Sequence, residues 1–210
     1  MHIEFLVEEP SSEAALQNIL PRVLREQITF SIHPFRGKPD LLKKLPARLR
    51  GYRAWIPDSW RIVVLVDADE NDCKEIKARL EKAALQAKLI TKSAVSPGSR
   101  FQVLNRLAIE ELEAWFFGDI EALNAAYPRV PLRLGNKARY RDPDAILGGT
   151  WEALERELKR VGYFPAGLNK ISAAREISKY MVPERNRSKI FQVFRQGLLE
   201  FFRTYEYSMT

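Results

Sequence analysis

The sequence predicts an α/β fold in which helices flank a mostly parallel sheet and a helical C-terminal region follows. The chain opens with the signals of a strand, a turn and a helix. Residues 61–66 are then apolar and largely β-branched after Arg61, which is typical of a strand covered on both faces. An apolar fraction of 46% over 210 residues is enough to bury a core without disulfide bonds.

Each predicted element has its own signal. Residues 3–7 are almost all apolar, and 10–13 (PSSE) supply hydroxyl caps and an acid for the first turn of a helix. Alternating side chains predict a strand over 28–32. The other predicted elements are a basic helix at 41–49, a strand at 61–66, a charged helix at 71–87, a strand at 89–95, and helices at 101–117, 151–161, 170–181 and 186–205.

A change in composition near Tyr127 predicts two regions. Proline and glycine become frequent from there to residue 149, and amphipathic helices follow. We therefore expect an α/β core over 1–126 and a loop-rich, helical extension over 127–210 that packs on it.

The composition excludes several classes of protein. One cysteine excludes an intramolecular disulfide, and two histidines disfavour a zinc site or a histidine base. The sequence contains no apolar run of the length that spans a membrane, and its start is not that of a signal peptide, so we expect a soluble, cytoplasmic protein. The net charge of +7 favours contact with a polyanion such as nucleic acid.

Carboxylates follow two of the predicted strands. Glu8 comes directly after the first strand, and Asp67 and Asp69 come directly after the strand at 61–66. Because ligand sites in parallel sheets lie beyond the carboxyl ends of the strands, three carboxylates converge there if these strands are neighbours. Such a cluster suits Mg²⁺ or Mn²⁺, and these cations suit phosphate chemistry. The alternative is structural, since Asp69 or Asn71 is also placed to cap the following helix.

These carboxylates also carry a resemblance. A glutamate after the first strand and an Asp-x-Asp after a later strand resemble the Toprim domain, a Rossmann-like fold found in topoisomerases, primases and overcoming-lysogenization-defect (OLD) nucleases. The resemblance implies that Glu8, Asp67 and Asp69 are catalytic, metal-binding acids. One position departs from the pattern, because Glu9 stands where Toprim domains usually have glycine.

A likeness over most of the chain is to the bacterial domain-of-unknown-function family 4276, which is grouped with Toprim proteins. The matching segments are 7–13, 37–42, 67–69, 111–116, 169–170 and 186–188. This resemblance singles out Glu111 and Glu113 as further metal ligands. On a regular helix these two side chains point apart, and a surface cluster of glutamates is the alternative interpretation.

Basic residues complete the predicted site. Arg36 and Lys38 follow a predicted strand and Lys170 begins a predicted helix, so these three are the expected contacts to substrate phosphate. The Gly37-Lys38 pair lacks the other residues of a P-loop, which argues against nucleotide hydrolysis by this chain.

The expected function is that of a Mg²⁺- or Mn²⁺-dependent nuclease acting on DNA or RNA. OLD nucleases join an ATPase to a Toprim domain, so their resemblance implies a separately encoded ATPase partner and a role in phage defence. The alternatives are a subunit that is inactive without that partner and a basic nucleic-acid-binding module.

Overall fold

The computed structural model describes residues 1–68, 73–109 and 112–206. Within these ranges four strands form one sheet, and every pairing is parallel. The strands are β1 (His2–Val7), β2 (Thr29–Pro34), β3 (Trp60–Ala68) and β4 (Val103–Ile109). The helices are α1 (Pro10–Val23), α2 (Lys38–Trp55), α3 (Cys73–Gln86), α4 (Glu113–Gly118), α5 (Ile120–Ala126), α6 (Thr150–Arg160), α7 (Lys170–Ser178) and α8 (Lys189–Glu206).

The strand order is β2-β1-β3-β4. After β1 the chain runs through α1 to β2 on one side, and α2 then carries it past β1 to β3 on the other side. Strands connected through helices in this way form a Rossmann-like α/β fold, as the sequence predicts. The order reverses between β1 and β3, so the carboxyl ends of these two neighbours mark the topological switch point.

Both faces of the sheet are covered, which explains why residues 62–66 of β3 are all apolar. Val63 and Leu65 face one buried cluster, and Ile62, Val64 and Val66 face another. Helices α2 and α3 supply the second cluster, whereas α1, α4, α6, α7 and α8 contribute to the first. A strand buried on both faces needs no polar alternation.

Short connections and helices make up the C-terminal region. Three single turns of 3₁₀ helix, Leu132–Asn136, Ala138–Tyr140 and Pro143–Ala145, precede α6. The first buried cluster contains residues from both sides of position 126. The division of the chain at that position stays a prediction.

Two sequence predictions are wrong. The predicted strand at 89–95 is a loop with a 3₁₀ turn at Lys92–Ala94, joined to the sheet by a single bridge between Thr91 and Val103. Helix α3 is followed by Lys88, which has a left-handed backbone conformation, and the Leu89 N–H donates a hydrogen bond to the Ala84 carbonyl at 3.0 Å. This C-terminal cap turns the chain away before it can pair along its length.

The predicted helix at 101–117 is also wrong over most of its length. Residues 103–109 form β4, and within the described part of the segment only Glu113–Gly118 is helical. Leu104 and Leu107 have the three-residue spacing of a helix, but the segment pairs with β3, because as a strand it buries Val103 and Leu104 in the two clusters on opposite faces of the sheet. Among the described residues, no helix has both the length and the apolar character needed to cross a membrane.

Candidate metal centre

The candidate site lies at the switch point between β1 and β3. Glu8 follows the last residue of β1, and Asp67 is the penultimate residue of β3. The parallel register pairs Val7 with Leu65, so Glu8 and Asp67 both lie just past the last β1–β3 pair, at the carboxyl ends of the two strands. The structure therefore brings these two predicted site residues together, in the crevice where ligands bind in open α/β sheets.

Backbone hydrogen bonds hold the Glu8 carboxylate in this crevice. Its Oε2 accepts a hydrogen bond from the backbone N–H of Asp67 at 3.0 Å. The backbone N–H of Lys38 also donates to the carboxylate, and the Glu8 carbonyl accepts from the Gly37 N–H at 3.0 Å. One side chain thus ties the end of β3 to the beginning of α2.

Glycine at position 37 makes this connection possible. Gly37 has φ +88°, a left-handed conformation that glycine adopts without strain, and it offers no side chain to cap α2. The Glu8 carboxylate takes the place of that cap by accepting from the first N–H of the helix. Glu8 therefore has a structural role in addition to any chemical one.

The electrostatics of Glu8 favour a nearby cation. Burial raises the pKa of Glu8 above its ordinary value, and the negative charge of Glu9 acts in the same direction. The hydrogen bonds from Asp67 and Lys38 and the positive charge of Lys38 offset this only in part. A carboxylate whose charge is unfavourable in the free protein gains stability when a cation arrives.

The turn after Glu8 accommodates Glu9 without strain. Glu9 has φ −147° and ψ 165°, which is extended backbone open to any residue. Its carboxylate accepts a hydrogen bond from the Ser11 hydroxyl in the first turn of α1. The glycine usual in Toprim domains is therefore not required for this backbone geometry.

The predicted phosphate contacts lie in different surroundings. Lys38 is half-buried beside Glu8, whereas Arg36 is exposed and its backbone N–H donates to Asp40 at 3.2 Å. Lys170 is the first residue of α7, with its ammonium group 4.8 Å from the centre of the Trp151 ring. The structure thus places Lys38 in the site, Arg36 at its rim and Lys170 on another element.

The other predicted metal ligands are Asp69, Glu111 and Glu113. Asp69 and Glu111 lie outside the described residues. Glu113 is 2% exposed and begins α4, the helix that follows β4. Across 1–68, 73–109 and 112–206, no group of three His, Cys, Asp or Glu side chains is arranged to hold a metal.

The structure contains a second polar cluster, around Glu4, that the sequence analysis did not predict. Glu4, in the middle of β1, is only 5% exposed, and its carboxylate contacts both histidines of the chain, His2 and His33. The Tyr52 hydroxyl donates to the same carboxylate at 2.8 Å. Burial opposes ionisation of Glu4, but these hydrogen bonds together hold its pKa below the ordinary value. Two histidines and an acid at alternate strand positions were the only sequence signal for this cluster.

Comparison with known proteins places the chain in a family. The profile of the family described as "Domain of unknown function (DUF4276)" matches residues 7–199. The chain belongs to this family. No curated protein and no solved structure matches it. The matched range includes both Glu8 and Asp67.

Proposed function

We propose that this DUF4276 protein is a divalent-metal-dependent nuclease that hydrolyses phosphodiester bonds with a Toprim-type site. The observation that carries the proposal is that Glu8 and Asp67 lie together at the β1/β3 switch point, where the Asp67 backbone N–H donates to the Glu8 carboxylate. Two acids after neighbouring parallel strands, one of them with a raised pKa, are the arrangement expected of a cation site.

The oxygen donors present fit a hard cation. Glu8 and Asp67, with Asp69 from outside the described residues, would hold Mg²⁺ or Mn²⁺, both of which prefer carboxylate ligands. When bound, such a cation neutralises phosphoryl oxygens and lowers the pKa of a coordinated water. The half-buried Lys38 beside Glu8 suits the phosphate of a substrate rather than the metal, because its positive charge attracts an anion and repels a cation.

The side chains of the chain have separate roles in this proposal. Lys38 holds a non-bridging phosphate oxygen, helped by the positive end of the α2 dipole. Glu8 is a metal ligand or the group that accepts a proton from the attacking water, and its raised pKa makes it a stronger base than an ordinary glutamate. Arg36, exposed at the rim, contacts the phosphate chain further out.

A cleavage assay with a matched control tests the proposal. Single- and double-stranded DNA and RNA are incubated with Mg²⁺ or Mn²⁺ and with wild type, Asp67→Ala or Asp58→Ala. Asp58 is an exposed acid two residues before the other end of β3, so its removal changes the charge equally without touching the switch point. We expect cleavage by wild type and Asp58→Ala, and none by Asp67→Ala.

Calorimetric titration of Mg²⁺ separates the rival functions. Metal binding without cleavage by wild type would indicate a subunit that needs its partner, and the expected partner is a separately encoded ATPase. Neither metal binding nor cleavage, with nucleic-acid binding intact in Asp67→Ala, would leave only a binding module and refute the nuclease proposal.

A further inference from the structure

The positive charge of the chain is concentrated in two short segments. Residues 129–141 and 185–189 contain eight basic residues and no acid. The rest of the chain has 26 Lys and Arg against 27 Asp and Glu, so these segments account for the whole net charge of +7. We call them together the basic surface; its basic residues are Arg129, Arg133, Lys137, Arg139, Arg141, Arg185, Arg187 and Lys189.

The fold brings the two segments into contact. A solvent-open cavity of about 330 Å³ is lined by Leu132 and Gly135 from the first segment and by Arg185 and Arg187 from the second. A Cβ atom at Gly135 would lie 2.6 Å from a terminal nitrogen of Arg187, so only glycine lets that guanidinium lie against the backbone. The cavity thus joins the two segments, and Arg185 and Arg187 are the basic residues that line it.

Most of the charge on this surface is not neutralised. Arg185 pairs with Asp119 and Glu121, and Lys137 lies 3.5 Å from Glu157. The other six basic residues are exposed, and none has an acid within ion-pair distance in the part of the chain that the structure describes. The nearby acid Asp144 is occupied, because it accepts from the Ser188 hydroxyl and from backbone N–H groups at the start of α8.

We propose that the basic surface binds the phosphodiester backbone of a nucleic acid. Six of its eight basic residues are arginines, whose planar guanidinium groups bind phosphate through two parallel hydrogen bonds. Unneutralised charge of this density releases counterions from a polyanion, which is the main source of sequence-independent affinity. This proposal adds to the proposed function the place where the substrate is bound, and it rests on the nuclease proposal only for the cleavage that follows binding.

The location of the surface suits this role. Helix α4 begins at Glu113, just after the carboxyl end of β4, and ends at Gly118, whose carbonyl accepts the Arg187 N–H at 2.9 Å. A helix of 6 residues, about 9 Å long, thus links the basic surface to the part of the chain that follows β4.

Binding measured without metal tests this proposal apart from cleavage. Fluorescence anisotropy of labelled DNA and RNA oligonucleotides in EDTA compares wild type with Arg133→Glu/Arg187→Glu. The matched control is Arg79→Glu/Lys82→Glu, two exposed residues on α3 that change the net charge equally. We expect the surface variant to bind at least about 10-fold more weakly than wild type, and the control to bind within about twofold of wild type. A plot of log affinity against log salt concentration should also have a shallower slope for the surface variant, by the amount that corresponds to the loss of about two phosphate contacts.

A second variant guards against a folding defect. Arg139→Glu/Arg141→Glu alters exposed residues that do not line the cavity, and the same weakening is expected. Equal binding by both surface variants and the control would overturn the proposal, as would wild type that binds phosphatidylglycerol vesicles but no oligonucleotide. Asp67→Ala should still bind, so failure of the nuclease proposal and failure of this one give different results.

Discussion

Replacing Asp119 with alanine is expected to destabilise the protein by about 3–5 kcal/mol, because it removes a buried carboxylate that caps α5, accepts a second backbone N–H and pairs with the partly exposed Arg185. The Asp119 side chain is fully buried between α4 and α5. Its carboxylate accepts from the Ala122 N–H at 3.1 Å as the cap of α5, from the Val182 N–H at 2.9 Å, and from two nitrogens of Arg185 at 2.9 and 3.0 Å.

These bonds are not independent, since one carboxylate makes all of them. A helix cap alone contributes about 1 kcal/mol, and a hydrogen bond to a charged group contributes about 1.5–3 kcal/mol. Their full sum would overestimate the loss, because the remaining groups relax toward solvent. A loss of 3–5 kcal/mol corresponds to a fall in Tm of about 6–20 °C for a domain of this length.

Glu121 provides the matched control. It pairs with the same Arg185, but its side chain is 62% exposed, so Glu121→Ala should cost less than about 1 kcal/mol. Urea unfolding followed by circular dichroism measures both variants, and equal slopes would show that the midpoint shift reports stability. Equal losses in the two variants would refute the argument that burial, rather than the ion pair itself, sets the cost.

Three further predictions concern other parts of the molecule. Glu8→Gln should raise Tm relative to wild type at neutral pH, because a raised pKa in the folded protein means that the ionised Glu8 carboxylate is destabilising. This difference in Tm should disappear below the ordinary glutamate pKa, where Glu8 is protonated in both the folded and the unfolded protein. Thermal unfolding without metal across a range of pH tests this, and a difference in Tm that does not depend on pH would contradict it. Tyr52→Phe should lower the free energy of unfolding by about 1–3 kcal/mol at neutral pH, because the Glu4 carboxylate loses a hydrogen bond. The same change brings the pKa of Glu4 closer to its ordinary value, so the variant should lose less stability than wild type when the pH falls below ~4.5. Urea unfolding at neutral and acidic pH measures both effects, and an equal loss of stability on acidification in the two proteins would refute the argument. Gly118→Ala should destabilise the protein by about 1–3 kcal/mol, because its Cβ atom would lie 3.0 Å from the Ser188 backbone nitrogen. Gly51→Ala, inside α2 with open space around it, should instead stabilise the protein by about 0.5–1 kcal/mol. Urea unfolding measures both, and a change of the same sign in the two variants would contradict the packing argument.

The first half of the fold was predictable because its signals are local. The apolar runs of β1 and β3 and the cap residues ahead of α1 lie in continuous sequence, and strands joined by helices imply parallel pairing. The approach of Glu8 to Asp67 followed from the general position of ligand sites in such sheets. Both depend on pattern rather than on a particular distant partner.

The larger error and the features that the sequence did not predict fell where a distant partner decides the structure. Residues 103–109 became a strand because β3 was available to pair with them, although their apolar spacing suits a helix. The capping of α2 by Glu8 required a glycine with positive φ at position 37, which spacing alone does not reveal. The Glu4 cluster joins β1, β2 and α2, so its members are unremarkable until the strands are in register.

The packing of α1 on α7 has a consequence for synthesis of the protein. Asn18 and Arg22 donate to the carbonyls of Arg175 and Lys179, 157 residues later in the chain. At ribosomal rates of about 5–20 residues per second, α1 waits roughly 8–30 s for this partner. During that time the apolar side chains of α1 that later join the first buried cluster lack their C-terminal cover. The nascent chain is therefore expected to be a client of holding chaperones until its last helices have emerged.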